Sequence, residues 1–172
     1  EDKTEGMDLY HVDFKYDPHS CRKTLNDVSM FIPYGHTTAI VGESGSGKTT
    51  LLKLLLGYYP VSKGELSIGG TNINKLNKKW WRQQCGVVMQ DGVIFSDTIA
   101  RNIAVGDGEM DMDRVKVAAR IACIDDYIVT LPLGYDTKIG RDGMGLSQGQ
   151  KQRILIARAA YKNPAYLFLD EA

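Results

Sequence analysis

Hydrophobic and polar residues alternate along two stretches near the start of the chain. The first, residues 9–16, predicts a strand that carries Tyr10, Val12, Phe14 and Tyr16 on one face. The second, residues 25–32, alternates in the same way and predicts a neighbouring strand. Residues 17–20 read Asp-Pro-His-Ser, which is typical of a turn between the two.

A short β-branched run at residues 37–41 precedes a glycine-rich loop, and a leucine-rich run at residues 51–56 follows it. The first run predicts a buried strand and the second predicts a helix that ends at Gly57. The order strand, glycine loop, helix is therefore expected around residues 42–50.

Helical and extended patterns then follow one another to the end of the chain. We expect strands at residues 64–70, 86–90 and 166–171, and helices at residues 76–84, 97–103, 111–128 and 147–160. In the helix at residues 111–128, Asp111 is placed to cap the start. An apolar stripe there predicts packing, and it comprises Val115, Ala118, Ala119, Ile121, Ala122 and Cys123.

Composition limits the function without choosing it. The 172 residues suffice for one domain, and 43% hydrophobic with 24% charged residues is typical of a globular chain. The 21 basic and 21 acidic side chains cancel, which argues against nucleic acid as a partner. No apolar run approaches the roughly 20 residues of a membrane helix, so any membrane connection must come through another segment or partner.

The glycine loop carries the most specific chemistry. Residues 42–50 read GESGSGKTT and fit the phosphate-binding pattern G-x-x-x-x-G-K-[ST]. The glycines let backbone amides approach an anion at the start of a helix. Lys48 supplies a point charge for the outer phosphates, and the Thr49 hydroxyl is a hard oxygen ligand for Mg²⁺.

An acidic pair ends the last apolar strand. Asp170 follows directly on that strand, at the edge of a parallel sheet where ligands bind. Its carboxylate can hold Mg²⁺ through water. Glu171 is then placed to polarise a water molecule against a γ-phosphate, which predicts nucleoside triphosphate hydrolysis.

Further motifs resemble those of the ATP-binding cassette (ABC) ATPases. Residues 146–150, LSQGQ, resemble the signature sequence, with Gln148 where glycine is commoner, and KQRILIARA follows. Gln90 after its strand resembles the Q-loop, and Tyr16 resembles the aromatic A-loop residue. Residues 94–99 and 131–140 resemble segments of exporters.

The resemblance implies roles for individual residues. Tyr16 would stack on adenine, and Glu171, Lys48 and Gln90 would be the catalytic residues. Thr49, Gln90 and Asp170 would hold Mg²⁺. The implied nucleotide-binding residues are Tyr16, Gly42, Glu43, Ser44, Gly45, Ser46, Gly47, Lys48, Thr49, Thr50, Gln90, Ser147, Gly149 and Gln150.

The resemblance also implies partners. Ser147 and Gly149 would face the ATP of a second copy, so that two sites form across a head-to-tail dimer. Exporter-like segments imply a membrane domain, normally fused upstream, and a place at the cytoplasmic face of the cell membrane. Lys138 departs from the acid usual in exporters, so the contact with a membrane segment is expected to differ.

The implied fold class is α/β: a P-loop NTPase (RecA-like) core with an N-terminal antiparallel β subdomain and an inserted α-helical subdomain. Residues 7–90 and 161–172 would form the β subdomain and nucleotide-binding core, and residues 91–160 the helical, signature-bearing subdomain. The family's next strand and switch histidine would follow residue 172. The 172 residues are therefore expected to be an incomplete domain that alone hydrolyses ATP negligibly.

Two other functions stay open at this point. One is a soluble ABC-type ATPase of DNA repair or translation, which the neutral charge and the exporter-like segments disfavour. The other is a non-catalytic nucleotide-binding module, which the presence of Glu171 and Ser147 disfavours. The transported substrate is not encoded in these motifs.

Overall fold

A computed structural model describes residues 6–106 and 108–170, so Glu171 lies outside the described residues. The chain falls into two compact units, Glu1–Arg82 and Gln83–Ala172. The subdomain boundaries expected at residues 90 and 160 stay predictions.

The first unit is built on a four-stranded antiparallel sheet. Its strands are β1 (Gly6–Phe14), β2 (Leu25–Pro33), β3 (Lys63–Ile68) and β4 (Thr71–Asn72), in the order β2-β1-β3-β4. Apolar side chains of the sheet, among them Leu9, Val12 and Leu66, are buried. This confirms the two alternating strands at the start of the chain.

A bulge in β1 changes which residues share a face. Leu9 pairs with Met30 and Val12 with Val28, so three steps along β1 match two along β2. His11 has a φ of +48° and absorbs the extra residue. Because the bulge shifts the alternation by one residue, Val12 is buried while Tyr10 is 63% exposed. The prediction that Tyr10 shares the face of Val12 is wrong.

The strand predicted before the glycine loop is not formed. Residues 37–43 have no regular secondary structure, and Val41 is 92% exposed. A β-branched run becomes a strand only when a neighbour completes its hydrogen bonds. In residues 6–106 and 108–170, no named strand pairs with this run.

Helix α1 (Lys48–Leu55) begins at the glycine loop and buries Leu51, Leu52, Leu54 and Leu55. It ends in a Schellman motif at Gly57, so the predicted end of this helix is confirmed. Gly57 has a φ of +68°, Gly57 N donates to Leu54 O, and Tyr58 N donates to Lys53 O.

A 3-10 helix (Ile73–Lys75) and helix α2 (Lys78–Gln84) follow the sheet. Asn77 caps α2 by accepting from the amides of Lys79 and Trp80. The buried Trp81 ring donates from Nε1 to Leu55 O at 3.0 Å. This bond ties α2 to the end of α1.

Within residues 83–106 and 108–170, the second unit combines short strands with four α-helices. Its elements are β5 (Cys85–Val88), β6 (Asp97–Thr98), α3 (Ile99–Ile103), α4 (Met112–Ile121), α5 (Asp125–Val129), a 3-10 helix (Gly134–Asp136), β7 (Lys138–Ile139), α6 (Gln148–Tyr161) and β8 (Tyr166–Leu169). β5 and β8 are parallel, and β6 and β7 antiparallel. The strand expected at the acidic end of the chain is formed by β8, in which Phe168 is buried while Leu167 and Leu169 are exposed.

The helix predicted at residues 111–128 is two helices. Asp111 caps α4 as expected, but Cys123 has a φ of +53° and separates α4 from α5. Four members of the predicted apolar stripe are buried, namely Val115, Ala118, Ala119 and Ala122. Ile121 and Cys123 are exposed and do not belong to it, because Ile121 lies on another face of α4 and Cys123 lies beyond the end of α4.

Two polar side chains hold the segment at residues 93–98 in the second unit. The fully buried Asn102 side chain accepts from Phe95 N and donates to the carbonyls of Phe95 and Thr98. Arg158 of α6 donates to Val93 O and Asn102 O at 2.9 and 2.8 Å. Burial lowers the pKa of Arg158, and its charge is met by neutral oxygens and by the Phe95 ring at 4.9 Å.

Asn102→Ala should lower the free energy of unfolding by about 3 kcal/mol, because it removes a fully buried side chain that bonds to Phe95 N and to the carbonyls of Phe95 and Thr98. Denaturant unfolding of the variant and the parent measures the difference. Asn74→Ala, at an exposed asparagine, is the matched control and should change the free energy by about 0.5 kcal/mol or less. Equal effects of the two changes would show that the Asn102 bonds add no net stability.

Candidate functional site

The Lys48 side chain bonds back to the backbone of the glycine loop. Lys48 Nζ donates to Gly42 O and Glu43 O, each at 2.8 Å. Gly47, the residue before α1, is left-handed with a φ of +99°, which a residue with a Cβ rarely adopts. The ammonium group is thus held over the loop, next to the first turn of α1.

Side chains pack close to two glycines of the loop. A Cβ on Gly42 would lie 2.7 Å from Ser46 Oγ, and a Cβ on Gly47 would lie 2.8 Å from a Leu25 methyl carbon. The first turn of α1 contains no acidic residue, so the positive end of the helix dipole is not neutralised there. A glycine loop at the start of a helix, with one lysine beside it, fits a polyphosphate.

Tyr16 lies next to this loop. Its hydroxyl lies 3.0 Å from Thr50 Oγ1, on the first turn of α1. The Tyr16 side chain is 51% exposed, so part of the ring is open to a ligand. The structure thus brings two parts of the predicted site together, the aromatic ring and the phosphate loop.

An open groove of about 620 Å³ runs beside Tyr16. Tyr59 and the lysines Lys15, Lys23 and Lys63 contribute to its lining. Lys23 Nζ lies 2.6 Å from an Asp13 carboxylate oxygen, and this bond lowers the pKa of Asp13. The groove is therefore aromatic and partly basic.

The other predicted residues lie in the second unit, where β5 and β8 end together. Asp170 N donates to Val88 O at 2.9 Å, and Gln90 stands in a turn two residues after Val88. Both residues therefore lie at the carboxyl edge of this parallel pair, as expected for ligand-binding residues of such sheets. The Asp170 side chain is buried, and Glu171, the predicted base, lies outside the described residues.

The oxygens predicted to bind metal are of the kind that Mg²⁺ prefers, namely those of Thr49, Gln90 and Asp170. In the described ranges, no group of three or more His, Cys, Asp or Glu side chains is placed to hold a metal. Thr49 belongs to the first unit, whereas Gln90 and Asp170 belong to the second.

The signature segment forms a capping box at the start of α6. Ser147 Oγ accepts from Gln150 N at 3.2 Å, and Gln150 Oε1 accepts from Ser147 N at 2.8 Å. A Cβ built on Gly149 meets nothing within 4 Å, so this glycine faces open space. The capping box therefore gives the backbone amides of Ser147 and Gln150 partners within the chain itself.

Sequence reasoning missed Tyr59, Asn102 and Arg158. Tyr58 and Tyr59 follow the end of α1 at Gly57, and the local sequence does not indicate which residues they contact. Tyr59 packs against rings some 40 residues earlier in the chain. Asn102 and Arg158 are likewise connected only by the fold.

Every helix in the described part of the chain is too short or too polar to span a bilayer. The sequence model of one family, described as "ABC transporter", matches residues 25–172. The phosphate loop, the Q-loop position and the signature segment all lie within this match.

Similar proteins extend the match to nearly the whole chain. "ABC transporter B family member 1" of Arabidopsis thaliana is 42% identical over 99% of this chain and 13% of its own length. A "putative multidrug export ATP-binding/permease protein" of Bacillus subtilis is 42% identical over 97% of this chain and 29% of its own length. A solved structure of a bacterial Atm1-family ABC exporter with ATP bound is 41% identical, with a TM-score of 0.90 over 97% of this chain and 29% of that chain.

The chain thus spans less than a third of the length of these relatives. The shared fold is α/β, with a P-loop NTPase core, an N-terminal antiparallel sheet and a set of helices that carries the signature segment. A phosphate loop at the start of α1, a capped signature helix and this agreement in sequence and backbone together make the chain a member of the ABC transporter family.

Proposed function

We propose that this chain is the part of an ABC exporter that binds and hydrolyses ATP, and that it couples head-to-tail pairing of two copies to export through a membrane domain. The observation that carries the proposal is the glycine cradle at the start of α1, with Lys48 held over it. Family membership supports it, because the family's sequence model covers this cradle.

ATP binding would exchange the internal contacts of the loop for contacts with phosphate. Lys48 Nζ gives up Gly42 O and Glu43 O, both of which water can solvate because the loop is exposed. Its charge then neutralises the outer phosphates, and the loop amides bind the remaining oxygens. The Tyr16 ring, tied to α1 through Thr50, stacks on the adenine base.

Hydrolysis would use the carboxyl edge of β5 and β8. Mg²⁺, when bound, neutralises charge that develops on the phosphates. Thr49, Asp170 and Gln90 supply oxygens to hold it, Asp170 through water. Glu171, the next residue, orients and polarises the attacking water, because phosphoryl transfer requires chiefly an aligned nucleophile and charge stabilisation.

A second copy would complete each site. Ser147, Gly149 and Gln150 stand at the start of α6, where the helix dipole favours an anion. Gly149 leaves open space for a phosphate approaching from another subunit. ATP would then hold two copies together, and its hydrolysis would release them.

The export function is proposed from the relatives. Proteins of Staphylococcus aureus and Bacillus subtilis that share 42% identity with the chain are named putative multidrug export ATP-binding/permease proteins. We therefore infer a partner membrane domain and a place at the cytoplasmic face of the membrane. The transported substrate would be selected by that membrane domain.

Two substitutions of Ser147 in the full-length protein test the proposed contact with the second copy's ATP. Ser147→Asp should be the more stable variant and Ser147→Ala the faster in hydrolysis. Asp is a good helix cap, so Ser147→Asp should keep the stability of α6, whereas Ser147→Ala should lose about 1 kcal/mol. For hydrolysis, Ala removes one hydrogen bond and should cost about fivefold. Asp adds repulsion of about 2 kcal/mol against phosphate and should cost about thirtyfold.

Steady-state hydrolysis and thermal unfolding of both variants are the measurements. Asp111→Ala, which removes the cap of α4, is the control and should lower stability by about 1 kcal/mol without slowing hydrolysis. If Ser147→Asp hydrolyses ATP faster than Ser147→Ala, then Ser147 is only a helix cap and the proposed contact is wrong.

A further inference from the structure

Three aromatic rings pack against one another at the end of β1. The Tyr16 and Tyr59 ring centroids lie 5.4 Å apart with the rings nearly perpendicular at 86°. Phe14 completes the set, 4.9 Å from Tyr16 and 5.7 Å from Tyr59. Edge-to-face packing of this kind is the favoured geometry of aromatic pairs.

The position of Tyr59 is fixed on both sides by the backbone. Two residues earlier, the Schellman motif at Gly57 ends α1, the helix that begins at the phosphate loop. Three residues later, Ser62 N donates to Asp13 O at 2.9 Å, and Lys15 N donates to Ser62 Oγ at 3.1 Å. Tyr59 is therefore anchored to α1 and to the end of β1 together.

Tyr16 itself has weaker local support. It lies beyond the last residue of β1, in a bend, and its side chain is 51% exposed. The hydroxyl contact with Thr50 fixes the tip of the ring, and the edge-to-face contacts with Phe14 and Tyr59 restrict its rotation. Phe14 is buried and belongs to the core, whereas Tyr59 is 41% exposed, so its ring has less to do with packing the core.

We propose that Tyr59 is a positioning residue that holds the Tyr16 ring in the orientation that stacks on the base, and so raises the affinity for adenine nucleotides. The inference rests on the proposed function, in which Tyr16 binds the base. Tyr59 acts through Tyr16 and not on the phosphates, so its contribution is confined to ligands that carry a base.

Two variants of the full-length protein separate the ring from the hydroxyl. Tyr59→Leu removes the ring and should raise the KM for ATP about fivefold, the size expected for one aromatic pair. The kcat should stay within about twofold, since no catalytic group moves. Tyr59→Phe keeps the ring and should restore the parent KM. Inorganic tripolyphosphate, which has no base, should inhibit all three proteins equally.

Tyr16→Leu completes a double-mutant cycle. If Tyr59 acts through Tyr16, Tyr59→Leu should raise the KM about fivefold in the parent and by about twofold or less in the Tyr16→Leu background. The same increase in both backgrounds would overturn the inference, because Tyr59 would then act independently of Tyr16. A matching loss of tripolyphosphate inhibition would also overturn it.

Failure of the proposed function looks different in the same experiment. A parent protein that neither binds nor hydrolyses ATP would refute the function, and the inference with it. An unchanged KM in Tyr16→Leu would show that this ring binds no base and would remove the role of Tyr59, while leaving hydrolysis intact. A raised KM in Tyr16→Leu together with an unchanged KM in Tyr59→Leu would overturn the inference alone.

Discussion

Lys48→Met in the full-length protein should slow ATP hydrolysis about 1000-fold without lowering stability, because a group that stabilises transition-state charge contributes about this much. In the structure, Lys48 Nζ contacts the loop carbonyls of Gly42 and Glu43. The proposed function requires this ammonium group to move onto the outer phosphates, where methionine offers no charge.

The stability should be unchanged or slightly higher, for two reasons. Lys48 is a cation in the first turn of α1, where the helix dipole disfavours positive charge. Its two carbonyl partners lie on an exposed loop, so water can replace the ammonium group. Loss of hydrolysis therefore cannot be explained by unfolding.

Lys53→Met is the matched control, since Lys53 is a cation in the last turn of the same helix. Its charge favours the helix there, so this variant should be less stable by about 0.5 kcal/mol and should hydrolyse ATP normally. Hydrolysis rates and thermal unfolding of both variants give the comparison. A Lys48→Met protein with near-normal turnover would mean that the glycine loop is not the phosphate site.

Local signals were sufficient to predict the helices that begin at the glycine loop and at the signature segment. The phosphate-binding motif of Gly42, Gly47 and Lys48 lies within one short segment, so it can be recognised without knowing the fold. The start of α6 is likewise fixed by two residues that are three positions apart, Ser147 and Gln150. The run at residues 37–41 failed as a strand because a strand depends on neighbours that sequence pattern does not specify. The bulge at His11 is a similar case, since it shows only in the register against β2 and β3.

Candidate site residues could be named from the sequence where one residue type suits one task, and their roles stay predictions. Tyr16 and the loop were chosen from the sequence, and the structure places them in contact through Thr50. Tyr59 was not, because its significance lies in a ring pair across the fold. The bonds between Asn102 and Arg158 were missed for the same reason, since an Asn and an Arg 56 positions apart carry no shared pattern.

Glu171→Gln should slow hydrolysis about 1000-fold while ATP binding stays within about twofold, because a positioned base contributes about 100- to 10,000-fold. Glu171 follows Asp170, whose backbone is bound to Val88 at the carboxyl edge of β5 and β8. Glutamine keeps the size of the side chain but not the negative charge that polarises water. ATP that is bound but not cleaved should hold two copies together, so paired copies should accumulate.

Two measurements distinguish a base from a binding residue at position 171. One is the ratio of ATP to ADP that is recovered with the protein after rapid gel filtration. This ratio should be higher for Glu171→Gln than for the parent protein. The other is crosslinking between copies, which should rise with ATP in Glu171→Gln and not in the control Glu65→Gln, at an exposed residue of β3. Loss of both hydrolysis and bound ATP would assign Glu171 to binding, and unchanged turnover would remove Glu171 from the site. Trapped ATP between two copies is expected only when the base is lost and binding is kept.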